Sequence, residues 1–239
     1  MNRRGVGLNN NELTLDQNPK VKKISAIIFD LDGTLINSYP GIKSSINSAI
    51  NTILPGRYIP NLKSKIGPTI REIFHNNFED ISKDELDLLV GQFRRHYDQE
   101  GCYQAKVYPN VIKILKTLNR KEIICCIATN KPTIPTINIL EKFHITDSFK
   151  YIICRDSQSQ QFLEKKEMVA ILLERLNLPP NQILMLGDMI EDAVAAEFNG
   201  ISFIAASYGF GINLSTSGHT INANINSILE LLDIINIKV

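Results

Sequence analysis

Two pairs of aspartates in the sequence have spacings that suit acid–base or metal chemistry. Asp30 and Asp32 flank a single leucine and are followed by Gly33, and Asp188 and Asp192 lie four residues apart, about one helical turn. Carboxylates crowded at one place repel each other unless they share a cation. Hard oxygen ligands favour Mg²⁺, which usually keeps waters and accepts a substrate phosphate oxygen. If the fold brings these aspartates together, they predict a magnesium site.

Hydroxyl, amide and ammonium groups also occur just after an apolar run or at the beginning of an amphipathic stretch. Thr129-Asn130 directly follows an apolar run, and Lys165-Lys166 opens an amphipathic stretch. Thr129 and Lys165 would hold phosphoryl oxygens and balance the charge that develops on them. Lys166 stays open as the alternative lysine.

These residue types together predict phosphoryl-transfer chemistry. Asp30 would be a carboxylate nucleophile that forms an aspartyl-phosphate. Asp32 would protonate the leaving oxygen and then deprotonate the attacking water. Asp188 would complete the metal site with Asp30 and Asp32. Asp192 would orient these ligands without contacting the metal itself.

Each of these signals also has a purely structural interpretation. An isolated pair of aspartates is commonly an exposed turn, a Thr-Asn pair after a strand is a turn signal, and Gly-Asp before a helix is often an N-cap. Their combination, each beside a predicted strand end or helix start, favours a catalytic site.

Short apolar runs alternate with amphipathic helical patterns, which predicts an α/β fold with a doubly wound parallel sheet. In such sheets ligands bind outside the carboxyl ends of the strands, where Asp30, Thr129 and Asp188 would lie. The predicted strands lie at 24–29, 123–128, 151–154, 183–186 and 201–205. A final amphipathic helix is predicted at about 225–235.

One long stretch lacks strand-like runs and shows helical faces instead. We therefore predict a small all-helical domain, the cap segment, at 39–105, inserted after the first strand. The α/β core domain would comprise 24–38 and 106–239. Residues 1–23 are polar and without periodicity, which predicts a flexible leader.

Composition excludes several classes of function. The chain has 239 residues, with 26 basic against 25 acidic side chains and a net charge of +1, so no global field would attract nucleic acid or an anionic membrane. Its four cysteines have no metal-binding or disulfide spacing, which fits a reducing cytosol. No apolar stretch approaches the roughly 18–20 residues that span a bilayer. We expect a cytoplasmic protein.

The sequence resembles the haloacid dehalogenase-like superfamily, and within it the phosphoglycolate phosphatase-like branch. The motifs are Asp30 to Leu35, Thr129-Asn130, the lysine at 165 and Gly187 to Asp192, and Tyr208 to Gly211 resembles the loop after the next strand. The resemblance covers roughly residues 24–235. It implies a Rossmann-like core and Mg²⁺-dependent hydrolysis of a phosphomonoester.

The position of the insertion resembles that of the family's helical caps. The segment from Ile66 to Glu72 is similar to the one that approaches the active site, which implies that Gly67, Pro68 and Arg71 contact the substrate. Two departures concern Asn37, where many relatives have aspartate, and the lysine, which no proline follows. They leave the nucleophile and the acid untouched but weaken any assignment of substrate.

Several functions stay open at this point. The expected substrate is a small phosphorylated molecule such as phosphoglycolate or a sugar phosphate. A sugar-phosphate mutase or an inorganic pyrophosphatase would share the same motifs, and a phosphonate hydrolase would need a cap lysine, Lys63 or Lys65. A binding module would typically have lost one of the carboxylates. The chain could be a monomer or a dimer.

Overall fold

A computed structural model describes residues 23–158, 161–211 and 218–237 of the chain. The predicted leader, apart from Lys23, lies outside the described residues. The strands are β1 (Ala26–Phe29), β2 (Ile36–Asn37), β3 (Lys106–Val107), β4 (Ile124–Thr129), β5 (Tyr151–Cys154), β6 (Ile183–Gly187), β7 (Ser202–Ala206) and β8 (Ala223–Ile225). The α-helices are α1 (Tyr39–Ile53), α2 (Ile70–His75), α3 (Lys83–Gln99), α4 (Val111–Arg120), α5 (Thr133–Lys142), α6 (Lys165–Leu176), α7 (Ile190–Phe198) and α8 (Glu230–Ile234).

Six strands form one parallel sheet in the order β5-β4-β1-β6-β7-β8. The central strand β1 is completely buried, and its Ile27 pairs with Cys125 on one side and Leu184 on the other. The strand order reverses direction on either side of β1, so the crevice above β4, β1 and β6 is where a ligand site is expected. The predicted doubly wound α/β sheet is confirmed.

Apolar cores cover both faces of this sheet. Alternate residues of a strand point to opposite faces, so Ile27 and Cys125 join the core under α4, α5 and α8, while Ile28 and Cys126 join the core under α6 and α7. Strands buried on both faces need continuous apolar runs. This requirement explains why the core strands were recognisable from sequence.

The cap segment contains α1, α2 and α3, and all its residues are described. Thr69 and Ser82 cap the N-termini of α2 and α3 with capping boxes. The hydroxyl of each accepts from the backbone N–H three residues further along the chain. The buried faces of α1 and α3 pack together, with Ile46 and Leu89 at full burial. At the base of the segment, β2 and β3 form a short antiparallel ribbon that joins it to the sheet.

The C-terminal region differs from the prediction of one helix at about 225–235. Ala223–Ile225 instead pairs with β7 as the sixth strand, and α8 begins only at Glu230. Three residues are too few to show a strand periodicity, so the helical spacing of the isoleucines and leucines dominated the pattern. Within the described part of the chain, no helix has both the length and the apolar character needed to cross a membrane.

Candidate active site

The carboxyl ends of three adjacent strands bring the predicted polar residues to one edge of the sheet. Asp30 follows β1, Thr129 ends β4, and Asp188 follows β6. Because these strands lie in the order β4-β1-β6, the three side chains meet above the centre of the sheet. Lys165 reaches the same place as the first residue of α6.

Three buried carboxylates form a compact group at this edge. One oxygen each from Asp30, Asp188 and Asp192 lies within 4.8 Å of the others. Their residues are at most 5% exposed. The sequence predicted Asp30, Asp32 and Asp188 as metal residues with Asp192 behind them, and in the structure the Asp192 carboxylate is part of the group while that of Asp32 points elsewhere.

Lys165 supplies positive charge to this group. Its ammonium donates to an Asp30 oxygen and to the Ala128 carbonyl, and lies 2.9 Å from Asp192 Oδ1. Burial alone would lower the pKa of Lys165, but the Asp192 and Asp30 carboxylates raise it above its ordinary value. Lys166 is far more exposed and pairs with Glu164 instead. The structure thus places Lys165, and not its neighbour, among the carboxylates.

Desolvation and mutual repulsion disfavour ionisation of the aspartates. Burial raises the pKa of Asp30 well above its ordinary value, opposed by Lys165 and reinforced by Asp192 and Asp188. Burial also raises the pKa of Asp188 to about 7, and Asp192 adds to the effect. One ammonium does not compensate three ionised carboxylates, so the group is suited to a further cation.

A glycine-rich loop holds Asp188 in position. The backbone N–H groups of Phe210 and Gly211 donate to its Oδ2 at 2.6 and 3.2 Å. Thr34 donates its hydroxyl to Oδ1 at 3.3 Å. A Cβ added to Gly33, whose φ is +87°, would lie 2.1 Å from Oδ2, so the turn after β1 packs directly on this carboxylate.

Asp192 connects the start of α7 to the same group. Its Oδ2 accepts from the backbone N–H groups of Asp188 at 3.1 Å and Met189 at 3.0 Å. The oxygen facing Lys165 is the other one, Oδ1. Asp192 therefore fixes the backbone that carries Asp188, and its role in orienting metal ligands stays a prediction.

The Asp32 carboxylate lies beside a lysine that the sequence analysis did not single out. Lys131 Nζ is 3.0 Å from Asp32 Oδ2 and donates to the Tyr97 hydroxyl at 2.7 Å. Asp32 Oδ1 is buried and has no hydrogen-bond partner among the described residues. Lys131 stands two residues after Thr129, so its position at a strand end was the one available signal. The contribution of Tyr97, far away in sequence, left no such signal.

The predicted phosphate-binding and cap residues differ in how close they lie to the carboxylates. Thr129 is buried, and its hydroxyl accepts from the backbone N–H of Lys131 at 3.1 Å, while Asn130 is exposed. A Cβ at Gly67 would lie 2.6 Å from Met189 Cε, which places this cap loop beside the start of α7. Pro68 is exposed in the same loop. Arg71 pairs with Asp87 on the cap surface and is not brought to the carboxylates.

The donor set fits a hard divalent cation. Its candidate ligand atoms are carboxylate oxygens, which carry more negative charge than Lys165 balances. Such oxygens suit Mg²⁺ or Ca²⁺ and not the softer metals that favour cysteine and histidine. Among the described residues, no cysteine or histidine belongs to this group.

Comparison with known proteins agrees with this geometry. Residues 27–206 match the family model described as haloacid dehalogenase-like hydrolase. A phosphoglycolate phosphatase from Chromobacterium violaceum is 30% identical over 223 residues, covering 90% of this chain and 97% of that protein. A 5'-nucleotidase from Pseudomonas aeruginosa is 28% identical over 186 residues, and the matched region covers 77% of this chain and 83% of that protein.

Solved structures show the same arrangement of elements. A haloacid dehalogenase-like family hydrolase from Streptococcus pneumoniae superposes with a TM-score of 0.78 at 27% identity, covering 89% of this chain and 98% of that one. The family match spans the first five strands of the sheet, apart from Ala26, and the carboxylates at its edge, and it ends before β8. The chain therefore belongs to the haloacid dehalogenase-like hydrolases and is an enzyme of the phosphatase class within that family.

Proposed function

We propose that the protein is a Mg²⁺-dependent hydrolase of a small phosphomonoester that works through an aspartyl-phosphate on Asp30. The observation that carries the proposal is the buried group of Asp30, Asp188 and Asp192 with the Lys165 ammonium among them. Such a group combines a nucleophile, a cation site and a charge that can face phosphoryl oxygens.

The first step would form a bond between an Asp30 oxygen and the phosphorus atom while the phosphorus–oxygen bond to the leaving alcohol breaks. Asp30 Oδ1 accepts from Lys165, and we assign the attack to the other oxygen, Oδ2. Asp32 would give its proton to the leaving oxygen, which departs as the alcohol.

The second step would regenerate the enzyme. Asp32, now ionised, would take a proton from a water that attacks the phosphorus atom, and the Asp30–phosphorus bond would break to release inorganic phosphate. Thr129, Asn130 and Lys165 would hold the phosphoryl oxygens during both steps. A bound Mg²⁺, held by Asp30 and Asp188, would supply positive charge to the phosphoryl group in both steps.

The cap segment would set the choice of substrate. Its Gly67 loop lies beside Met189 at the start of α7, close to the residues that hold Asp188. We propose that 39–105 acts as a separate cap domain on the core of 24–38 and 106–239, and that it excludes water when it closes. The relatives named as a phosphoglycolate phosphatase and a 5'-nucleotidase make phosphoglycolate and nucleoside monophosphates the first substrates to try.

The test is release of inorganic phosphate from 2-phosphoglycolate, a sugar phosphate, a nucleoside monophosphate and pyrophosphate, with Mg²⁺ and with chelator. We expect metal-dependent release from at least one monoester, and its loss in Asp30→Asn. Asp147→Asn, an exposed aspartate elsewhere, is the matched control. Exchange between sugar-phosphate isomers without phosphate release would instead indicate a mutase, and release from pyrophosphate alone would indicate a pyrophosphatase.

A further inference from the structure

A buried lysine outside the carboxylate group links the cap segment to the proposed acid. Lys131 is 8% exposed, and its ammonium contacts Asp32 at 3.0 Å and Tyr97 at 2.7 Å. Its own backbone N–H donates to the Thr129 hydroxyl. The lysine is thus fixed at both ends, to the strand edge through its backbone and to Asp32 and Tyr97 through its side chain.

The ion pair with Lys131 makes the two oxygens of Asp32 different. Oδ2 is occupied by the ammonium, whereas Oδ1 is buried and has no hydrogen-bond partner among the described residues. A buried carboxylate oxygen without a partner is costly, and a catalytic role or a bound water or ion is among the explanations for it. Oδ1 is therefore the oxygen left for the leaving group and the attacking water.

Tyr97 holds the lysine from the other side. It comes from α3 of the cap segment, is 4% exposed, and stacks on Phe93 with ring centroids 5.3 Å apart. Its ring lies under the ammonium of Lys131, 4.6 Å from centroid to Nζ, in addition to the hydrogen bond at its hydroxyl. A rigid aromatic side chain thus limits where the flexible lysine can place its charge.

We propose that Lys131, held by Tyr97 of the cap segment, is a positioning residue that aims Oδ1 of Asp32 at the leaving-group oxygen. The inference rests on the proposed function, because it gives Asp32 its acid–base role. The alternative is that the ion pair only satisfies a buried charge. That alternative predicts that a Lys131 variant is less stable but keeps the same ratio of activities on substrates with different leaving groups.

The test compares two substrates that differ in their need for a proton. The leaving group of 2-phosphoglycolate is an alkoxide, which needs a proton from the acid. The leaving group of p-nitrophenyl phosphate is a phenolate, which is stable without one. We expect Lys131→Met to lower kcat/KM, which reports formation of the aspartyl-phosphate, by at least about tenfold more for 2-phosphoglycolate than for p-nitrophenyl phosphate, since general acids contribute about 10²–10⁴-fold. Tyr97→Phe should act in the same direction with a smaller loss, and Lys131→Arg should recover part of the split.

Two further arms make the outcome decisive. In an Asp32→Asn background, Lys131→Met should add no further difference between the substrates, because the group it positions is gone. The controls Lys116→Met and Tyr58→Phe change exposed residues of the same types. If Lys131→Met fails to fold, Tyr97→Phe and Lys131→Arg carry the comparison.

The results separate two failures. Equal losses of kcat/KM on both substrates would overturn the positioning role while the phosphatase mechanism stands. If the wild-type protein with Mg²⁺ releases no phosphate from any phosphomonoester of the panel, the proposed function fails and this inference fails with it.

Discussion

The ammonium of Lys165 lies between the buried carboxylates of Asp30 and Asp192. Replacing one partner of a buried ion pair leaves the other charge uncompensated, which typically costs about 3–5 kcal/mol. The adjacent Lys166, about 40% exposed at its side chain, pairs with Glu164, itself 68% exposed. Two neighbouring lysines of the same length therefore occupy different environments and form a natural matched pair.

Lys165→Met should reduce phosphate release by at least about 10²-fold, because charge stabilisation at the phosphoryl group is lost. It should also lower the free energy of unfolding by about 3 kcal/mol in the absence of metal. Lys166→Met should keep the activity and leave the urea denaturation midpoint close to that of the wild-type protein, because its side chain is exposed. Phosphate release and urea denaturation measure both effects, and equal behaviour of the two variants would contradict the assignment of Lys165.

At the scale of elements, Asp188 depends on how closely the loop after β7 packs against it. A Cβ at Gly211 would lie 1.5 Å from the Asp188 carbonyl oxygen, which the backbone cannot accommodate without moving. By contrast, Gly91 lies within α3 with nothing within 4 Å of an added Cβ. The two glycines have opposite structural requirements.

Gly211→Ala should displace the loop and remove the N–H donors from Asp188, which should abolish stabilisation by Mg²⁺. We expect its free energy of unfolding to fall by at least about 2 kcal/mol. Gly91→Ala should raise the free energy of unfolding by about 0.5–1 kcal/mol, because alanine is favoured over glycine within a helix. Thermal unfolding with Mg²⁺ and with chelator would show both changes. A Gly211→Ala protein with normal metal stabilisation would contradict the proposed role of the loop.

The elements also show which features a sequence can reveal. Strands buried on both faces, such as Ala26–Phe29, need continuous apolar runs, and Asp30 and Asp188 follow such runs directly. The strand Ala223–Ile225 has three residues and no distinctive period, so the sequence pattern wrongly predicts the beginning of a helix there. The contact of Lys131 with Tyr97 joins residues 34 positions apart and depends on how the cap segment packs, which local patterns do not encode.

At the scale of the whole molecule, the crowded carboxylates connect folding, pH and metal binding. Burial raises the pKa of Asp30 well above its ordinary value and that of Asp188 to about 7, so the folded metal-free chain holds protons that the unfolded chain has lost. A raised pKa in the folded state contributes stability at low pH that disappears as pH rises through the folded value. Metal binding needs the ionised forms and has the opposite dependence.

We therefore expect the chelated protein to lose stability as pH rises from about 5 to about 8, and Mg²⁺ to stabilise it more at the upper end of that range. Unfolding midpoints measured across this range with chelator and with Mg²⁺ would show the two slopes. Asp188→Asn should flatten the slope in chelator and remove the response to Mg²⁺. Parallel slopes under the two conditions would contradict a metal site at this group.

In the proposed mechanism, Asp30 carries the phosphoryl group during turnover. The most direct measurement is to quench the enzyme during hydrolysis of its best substrate, reduce acyl phosphates with borohydride and map the peptides by mass spectrometry. We expect conversion of residue 30 to homoserine in the presence of substrate and Mg²⁺, and no conversion when either is omitted. Steady phosphate release from Asp30→Asn, or a reduced aspartate at another position, would contradict it.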